Sequence, residues 1–389
     1  MFSIWIMCSL ILTILYVSLM LAYTIGWLRM PVRKNSKNPP KTFVSVIVPA
    51  RNEEANIENC IKSILNQDYP SRLFEILIVD DHSTDQTANI VNNLEVKNLQ
   101  LIQLQDFEKP ENLIAFKKFA LKTAIEMAKG ELIFTTDADC ELSSTCLSTI
   151  VDYYEQNDVK FITAPVVFHE NEHQNDNQAA NRVLKKIFAL EFIGMMGITG
   201  ASNYWKMSNM SNGANLAYEK AAYNAVDGFT GIDHIASGDD LLLMEKIDQK
   251  FPGKVAFLKS SDCIVKTNPP ENLTEFFHQR IRWASKSRFY SDWKIIFFLA
   301  LVWIFHINIV WITLLIALGY PQFQLWICVQ LVCKLSIDYV FLSVSSSFFC
   351  RKQLMWIFIP AEIFQFFYIL VIGFLGNFKS YKWKGRVVK

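Results

Sequence analysis

Two carboxylates one residue apart, Asp137 and Asp139, close the short apolar run of LIFTTDADCELS (132–143). Ionised carboxylates this close and partly desolvated are unfavourable unless a cation lies between them or their pKa values rise. The pair therefore has the character of half a metal site. Further acidic and polar groups stand in ARNEE (50–54), DDHSTD (80–85) and SGDDLLLMEKI (237–247). Any one of these could be a turn or a helix cap, since Asp, Ser and Asn are common there.

The elements that must position these groups alternate between strand and helix. TFVSVIVPA (42–50) is a β-branched run with the character of a buried strand, and Ile57, Cys60, Ile61, Ile64 and Leu65 then recur at helical spacing. FEILIVDD (74–81) predicts a second strand, with Ser83 and Gln86 at capping-box spacing before another helix. LQLIQLQ (99–105) predicts a third strand, 113–129 a helix, and ELIFTTD (131–137) a fourth strand. Such alternation implies an α/β fold on a mostly parallel sheet, with ligands at the carboxyl ends of the strands. The acidic clusters converge on that edge. The sequence has neither GxGxxG nor GxxxxGK[ST], so any phosphate must be managed by carboxylates through a divalent ion rather than by a glycine cradle.

Around this core the composition changes. The 389 residues are 51% apolar, above the usual range for soluble domains. Trp5–Leu28 is uncharged and long enough to span a bilayer, and Arg29, Arg33 and Lys34 follow it. That order predicts an outside N-terminus and a cytoplasmic main domain. A cleaved signal peptide is disfavoured by the length of the stretch, the lack of an N-terminal basic residue and the lack of a small-residue cleavage site. The expected organisation is an anchor over 1–28, a linker over 29–41, a cytoplasmic domain over 42–292, membrane helices over 293–378 and a basic tail over 379–389. Three apolar stretches, Ile295–Leu318, Phe323–Phe348 and Leu354–Gly376, are candidate spans, and Lys334 and Asp338 are spaced to pair inside the bundle. Three crossings would put the tail outside, whereas its basic residues argue for inside, so one stretch is expected to be re-entrant or interfacial. The segment 188–207 contains Glu191 and several glycines, which argues against a span. A net charge of +1 gives no electrostatic case for nucleic acid. The eight cysteines form no CxxC pair and are expected to be reduced thiols.

VSVIVPARNEEANIENCIKSILNQDYP, EILIVDDHSTDQT, TTDADCEL, SGDDLLLMEKI and QRIRW resemble, in order and spacing, the family 2 glycosyltransferases. The flanking spans resemble the membrane-integrated members, such as the hyaluronan, cellulose and chitin synthases and ceramide glucosyltransferase. The resemblance covers roughly residues 40–290 and implies a GT-A nucleotide-diphospho-sugar transferase domain. It implies that Pro49, Ala50, Arg51 and Glu53 border the uridine, and that Asp80 and Asp81 contact base or ribose. Asp137 and Asp139 match the family's DxD motif, which holds the donor diphosphate through Mg²⁺ or Mn²⁺. Asp239 stands in the Glu position of the family's Glu-Asp motif. Asp240 matches the catalytic Asp, the general base that takes the acceptor's proton in an inverting transfer, with Asp239 the other candidate.

Gln279, Arg282 and Trp283 fall on one helical face, suited to a diphosphate beside a sugar ring, although the surrounding basic, aromatic segment also suits an interfacial helix. FKKFALKTA departs from the family's Gly-Lys-Gly element and leaves Lys117 or Lys118 as the candidate phosphate contact. The implied partners are a nucleotide-diphospho-sugar donor, with a UDP-sugar favoured, a lipid-linked or polysaccharide acceptor, and membrane lipids. A processive polysaccharide synthase is the alternative within the family. Two readings from other classes are a phosphatase-like hydrolase, which leaves PARNEE, DDHSTD and QRIRW without roles, and a membrane scaffold that binds nucleotide without chemistry.

Overall fold

The structure is a computed structural model that describes residues 2–36, 38–108, 114–170, 179–207, 210–289, 292–375, 381–383 and 386–388. The chain divides into two compact units. The first is an α/β unit of residues 31–171 and 208–268 with the C-terminal residues 380–389, and the second a helical unit of 1–30, 172–207 and 269–379. These units do not follow the linear boundary expected at 42–292, because two stretches inside it, 179–204 and 273–284, are helices that bury their apolar faces among the hydrophobic helices.

The α/β unit is built from β1 (Val44–Ala50), β2 (Phe74–Asp80), β3 (Leu99–Gln103), β4 (Leu132–Thr135), β5 (Glu141–Leu142), β6 (Phe161–Thr163), β7 (Val166–Phe168), β8 (Leu216–Glu219), β9 (Val255–Phe257) and β10 (Val265–Thr267). Seven strands form one sheet in the order β3-β2-β1-β4-β8-β6-β9, with β1 parallel to β2 and β4 and only β8 antiparallel to its neighbours. A second sheet has the order β5-β10-β7. The central strand β1 reads VSVIVPA and is buried on both faces, as a parallel strand covered by helices must be. The expected strands at 42–50, 74–81, 99–105 and 131–137 all form, each shorter by one to three residues.

The helices in chain order are α1 (Phe2–Arg29), α2 (Ile57–Leu65), α3 (Thr87–Asn92), α4 (Phe116–Met127), α5 (Cys146–Gln156), α6 (Ala179–Tyr204), α7 (Lys220–Ala225), α8 (Leu241–Lys250), α9 (Leu273–Ala284), α10 (Trp293–Ala317), α11 (Gln324–Phe348) and α12 (Phe358–Leu375). The expected capping box before α3 does not form. Ser83 Oγ accepts from Asn52 N at 3.0 Å, and Asp85 Oδ1 takes the amide of Thr87 instead, also at 3.0 Å.

Among the described residues of the helical unit, four helices are long and apolar enough to cross a membrane: Trp5–Arg29, Trp293–Ala317, Pro321–Phe348 and Lys352–Phe374. Each turns one stripe inward, as α1 does with Tyr16, Leu19, Met20, Tyr23 and Trp27. Large apolar side chains cover the opposite faces, among them Ile14, Leu325, Val332 and Phe367. Such a surface suits lipid rather than water. Lys334 and Asp338 pair at 2.7 Å as their spacing predicts, and Lys334 also pairs with Glu362. Tyr16 donates to Asp338 at 2.9 Å.

Gly194 and Gly197 of the 188–207 segment are contact points between helices. A Cβ at Gly194 would lie 2.9 Å from Leu342 Cδ2, and one at Gly197 would lie 2.5 Å from Ser345 Oγ, so α6 approaches α11 more closely than larger residues allow. Gly197→Leu should therefore destabilise the helical unit by about 1–3 kcal/mol. Ile14→Leu, on an exposed face, should change stability by less than about 0.5 kcal/mol. Thermal unfolding of both variants in detergent checks the contrast, and equal melting points would remove the close approach as a source of stability.

Candidate active site

The site grows from the carboxyl ends of β1, β2 and β4. Beyond β4, Thr136 donates its hydroxyl to Ala214 O at 2.8 Å and its amide to Ile47 O at 3.2 Å, which fixes the start of the Asp137–Asp139 turn. Asp139 Oδ2 accepts from Thr267 Oγ1 at 3.2 Å, at the end of β10. Asp137, Asp139 and Cys140 each present a ligand atom within 4.8 Å of the others.

Carboxylate oxygens are hard donors, matched to Mg²⁺ or Mn²⁺. Cys140 stands beside the two carboxylates, and burial, and after it the charges of Asp139 and Asp137, push its thiol well above the ordinary range. The residues fit an oxygen-preferring divalent ion.

Asp239 and Asp240 reach the same place by another route. Gly238 turns the chain at φ +82°, a region glycine tolerates. Asp240 then caps α8 by accepting from the Leu241 amide at 2.7 Å. Between the two acidic pairs stands Lys117 of α4, with Nζ 2.6 Å from Asp137 Oδ1 and 3.2 Å from Asp239 Oδ2. Burial opposes the charge of this ammonium, but Asp137 and then Asp239 outweigh it and hold Lys117 above the usual lysine range.

Lys118, the next residue, is 2% exposed and points elsewhere. Its Nζ donates to the carbonyls of Ile232, Ile235 and Ser237 at 2.9, 2.5 and 2.8 Å. One lysine thus joins the two carboxylate pairs, and its neighbour ties down the loop that carries the second.

The first two polar clusters are sewn to each other. Arg51 Nη1 donates to Asp81 O at 2.7 Å, Glu53 N to Thr87 Oγ1 at 2.8 Å, and Glu54 N to Asp85 Oδ2 at 3.0 Å. Asp80 accepts from Ser83 N at 3.3 Å, Asp81 N donates to Ala50 O at 2.8 Å, and His82 Nδ1 lies 3.0 Å from Asp81 Oδ1. Glu53 is buried and accepts from Asn56 Nδ2 at 2.9 Å. Pro49 and Ala50 end β1 beside Val79 and Asp80 of β2.

Gln279, Arg282 and Trp283 lie on α9, in the helical unit. The buried arginine of QRIRW is Arg280, which the i, i+3, i+4 reading passed over. It pairs with Glu191, donates Nη1 to Gln279 Oε1 at 2.7 Å, and its guanidinium lies 4.3 Å from the Trp283 ring. Tyr368 also donates to Glu191, at 2.6 Å. A charged residue in an apolar helix was the available signal for Glu191, and no pattern marked its partner. Gly213 was missed as well: a Cβ there would stand 3.1 Å from Lys117 Nζ and 3.4 Å from Asp239 Oδ2.

An acidic edge on an α/β sheet, with two carboxylates suited to a divalent ion, is the arrangement expected of a nucleotide-diphospho-sugar transferase. Residues 45–221, under half of the chain, match the model of glycosyl transferase family 2, and the mixed sheet has the GT-A fold. A probable glycosyltransferase of Bacillus subtilis, YdaM, is 28% identical over 259 residues, 66% of this chain and 57% of the relative. Beta-monoglucosyldiacylglycerol synthase of Nostoc sp. is 32% identical over 117 residues, 30% of this chain and 24% of that one. The aligned region thus spans less than two thirds of the length of these curated relatives. Among solved structures, the mannosyltransferase PcManGT from Pyrobaculum calidifontis, in complex with GDP-Man and Mn²⁺, shares the fold. Its TM-score is 0.57 at 18% identity, over 96% of this chain and 98% of that one.

Lys118→Met removes the donor that three carbonyls share, so the loop before Asp239 should loosen. The expected result is a kcat lower by about 10- to 100-fold with donor KM changed by less than about threefold. Steady-state kinetics on the variant check this, and an equal loss in donor affinity would place Lys118 in the donor site instead.

Proposed function

We propose that the protein is a membrane-bound, inverting, metal-dependent glycosyltransferase that moves a sugar from a nucleotide-diphospho-sugar, in the first instance a UDP-sugar, to a hydroxyl of a lipid-linked or polysaccharide acceptor. The observation that carries this reading is the Lys117 bridge, which gathers the Asp137–Asp139 and Asp239–Asp240 pairs at one edge of one sheet. A lipid acceptor is supported by the apolar outer faces of the helical unit and by the resemblance to a glucosyldiacylglycerol synthase.

In this mechanism Asp137 and Asp139 would hold a divalent ion, which when bound would supply positive charge to the leaving diphosphate. Arg51, Glu53, Asp80 and Asp81, with Pro49 and Ala50, border the nucleoside. Asp240 accepts the proton of the acceptor hydroxyl as its oxygen bonds to the anomeric carbon and the bond from that carbon to the diphosphate oxygen breaks. Asp239 is engaged by Lys117 and Asp240 by the Leu241 amide, so the choice of Asp240 rests on its match to the family's catalytic Asp. On α9, Gln279 and Arg282 offer an amide and a guanidinium suited to a diphosphate, and Trp283 an indole face suited to a sugar ring.

Asp139→Ala should abolish the metal-dependent part of UDP binding and transfer together. Asp240→Asn should keep metal-dependent UDP affinity while turnover falls by roughly 10²-fold or more. Calorimetry of UDP with and without Mn²⁺, beside a transfer assay, reads both. Near-parent transfer by Asp240→Asn would move the base to Asp239, and metal-dependent binding by Asp139→Ala would remove the metal assignment. Product mass from membranes given radiolabelled UDP- and GDP-sugars separates the acceptor readings: a ladder marks a processive synthase, one discrete lipid product a single transfer, and no turnover a non-catalytic scaffold.

The α/β unit is assigned to the cytoplasm on the basic residues after α1. An impermeant maleimide should then label Lys97→Cys, at an exposed position, above the parent background in inside-out vesicles and not in intact cells. Labelling in intact cells would reverse the orientation.

A further inference from the structure

We propose that Lys117 is an exchangeable counter-ion: it neutralises Asp137 while the donor site is empty, and it must pass to the donor's diphosphate before a divalent ion is held tightly. The inference rests on the assignment of Asp137 and Asp139 to the metal. Its basis is that the Lys117 ammonium already occupies a carboxylate oxygen of the first of these residues, at 2.6 Å. An ammonium and a divalent ion on the same carboxylate repel each other, and each weakens the other's hold on the oxygen.

The surroundings let the side chain move while its backbone stays. Lys118 is anchored on three carbonyls of the 232–237 loop, and α4 packs on β1 and β2, so the exchange needs only rotation about the flexible Lys117 stem. At the other end, Asp239 Oδ2 at 3.2 Å offers the ammonium a second partner throughout. Gly213 supplies the space, since a Cβ at that position would stand 3.1 Å from Nζ. A diphosphate arriving beside Asp137 brings oxygens that accept from Lys117, and the carboxylate released is then available to a cation.

Metal and nucleotide therefore bind with positive coupling, and by linkage each raises the other's affinity by the same factor. The consequence has a sign that a merely structural lysine would not give. Removing Lys117 should strengthen the binding of metal alone and weaken its dependence on nucleotide.

The test is Mn²⁺ binding to the full chain in detergent, followed by the electron paramagnetic resonance signal of free Mn²⁺, with and without UDP. Lys117→Met should bind Mn²⁺ alone at least about 10-fold more tightly than the parent, and the enhancement by UDP should shrink by a similar factor. Lys117→Arg, which keeps the charge, should stay within about twofold of the parent for Mn²⁺ alone and guards against a folding defect in the first variant. If the parent shows UDP-enhanced Mn²⁺ binding and Lys117→Met binds Mn²⁺ alone no better than the parent, the exchange is overturned while the metal assignment stands. If the parent binds no Mn²⁺ even with UDP, the metal assignment falls and the exchange falls with it.

Discussion

Four carboxylates, Asp137, Asp139, Asp239 and Asp240, are drawn to one edge of a sheet, and their mutual repulsion is the constraint that the α/β unit must satisfy. At short range and reduced dielectric, like charges cost several kcal/mol per pair. Lys117 offsets part of this by standing between the two pairs. Its helix is in turn held by the packing of α4 on β1 and β2, so the electrostatic balance of the site depends on an element that contributes little else to it. The second lysine makes the loop before Asp239 as much a part of α4's surroundings as the strand end is. Three carbonyls around one buried ammonium satisfy a charge that would otherwise be costly in that position.

The edge formed by β1 and β2 follows a different principle. The loops after β1 and β2 cap each other, amide to side-chain oxygen, and both place a non-glycine residue in the left-handed region, Asn52 at φ 53° and His82 at φ 56°. Reciprocal hydrogen bonds hold that backbone shape, which is the usual way strained residues persist near a site. Residues such as Asn52, Ser83, Asp85 and Thr87 serve the loops before they serve any ligand. Glu53 is in the same position, since it is buried against Asn56.

The helical unit handles charge by pairing it among its own helices. Lys334 meets Asp338 and Glu362, and Arg280 meets Glu191, which also accepts from Tyr368. Buried pairs of this kind are costly to break from one side, which makes them good markers of helix register even where they add little net stability. Arg280 also lies against the faces of Phe276 and Trp283, so the indole of QRIRW is oriented by a cation within its own helix.

The sequence by itself determined the elements that obey a local period: the strands of the α/β core, the apolar helices, the Lys334–Asp338 pairing, and the acidic clusters at strand ends. Each of these is written within a few residues, where alternation, helical spacing or hydropathy is read directly. The departures all involve partners distant in the chain. That Ser83 bonds Asn52 instead of capping α3, that the glycines of 188–207 seat α6 against α11, that Arg280 rather than Arg282 is the buried arginine, and that Gly213 makes room for Lys117 are matters of which surfaces meet. The role of the lysine pair was decided the same way. Nothing in FKKFALKTA distinguishes Lys117 from Lys118, because adjacent residues on a helix point about 100° apart, and only the folded chain sets one toward the carboxylates and the other toward the loop.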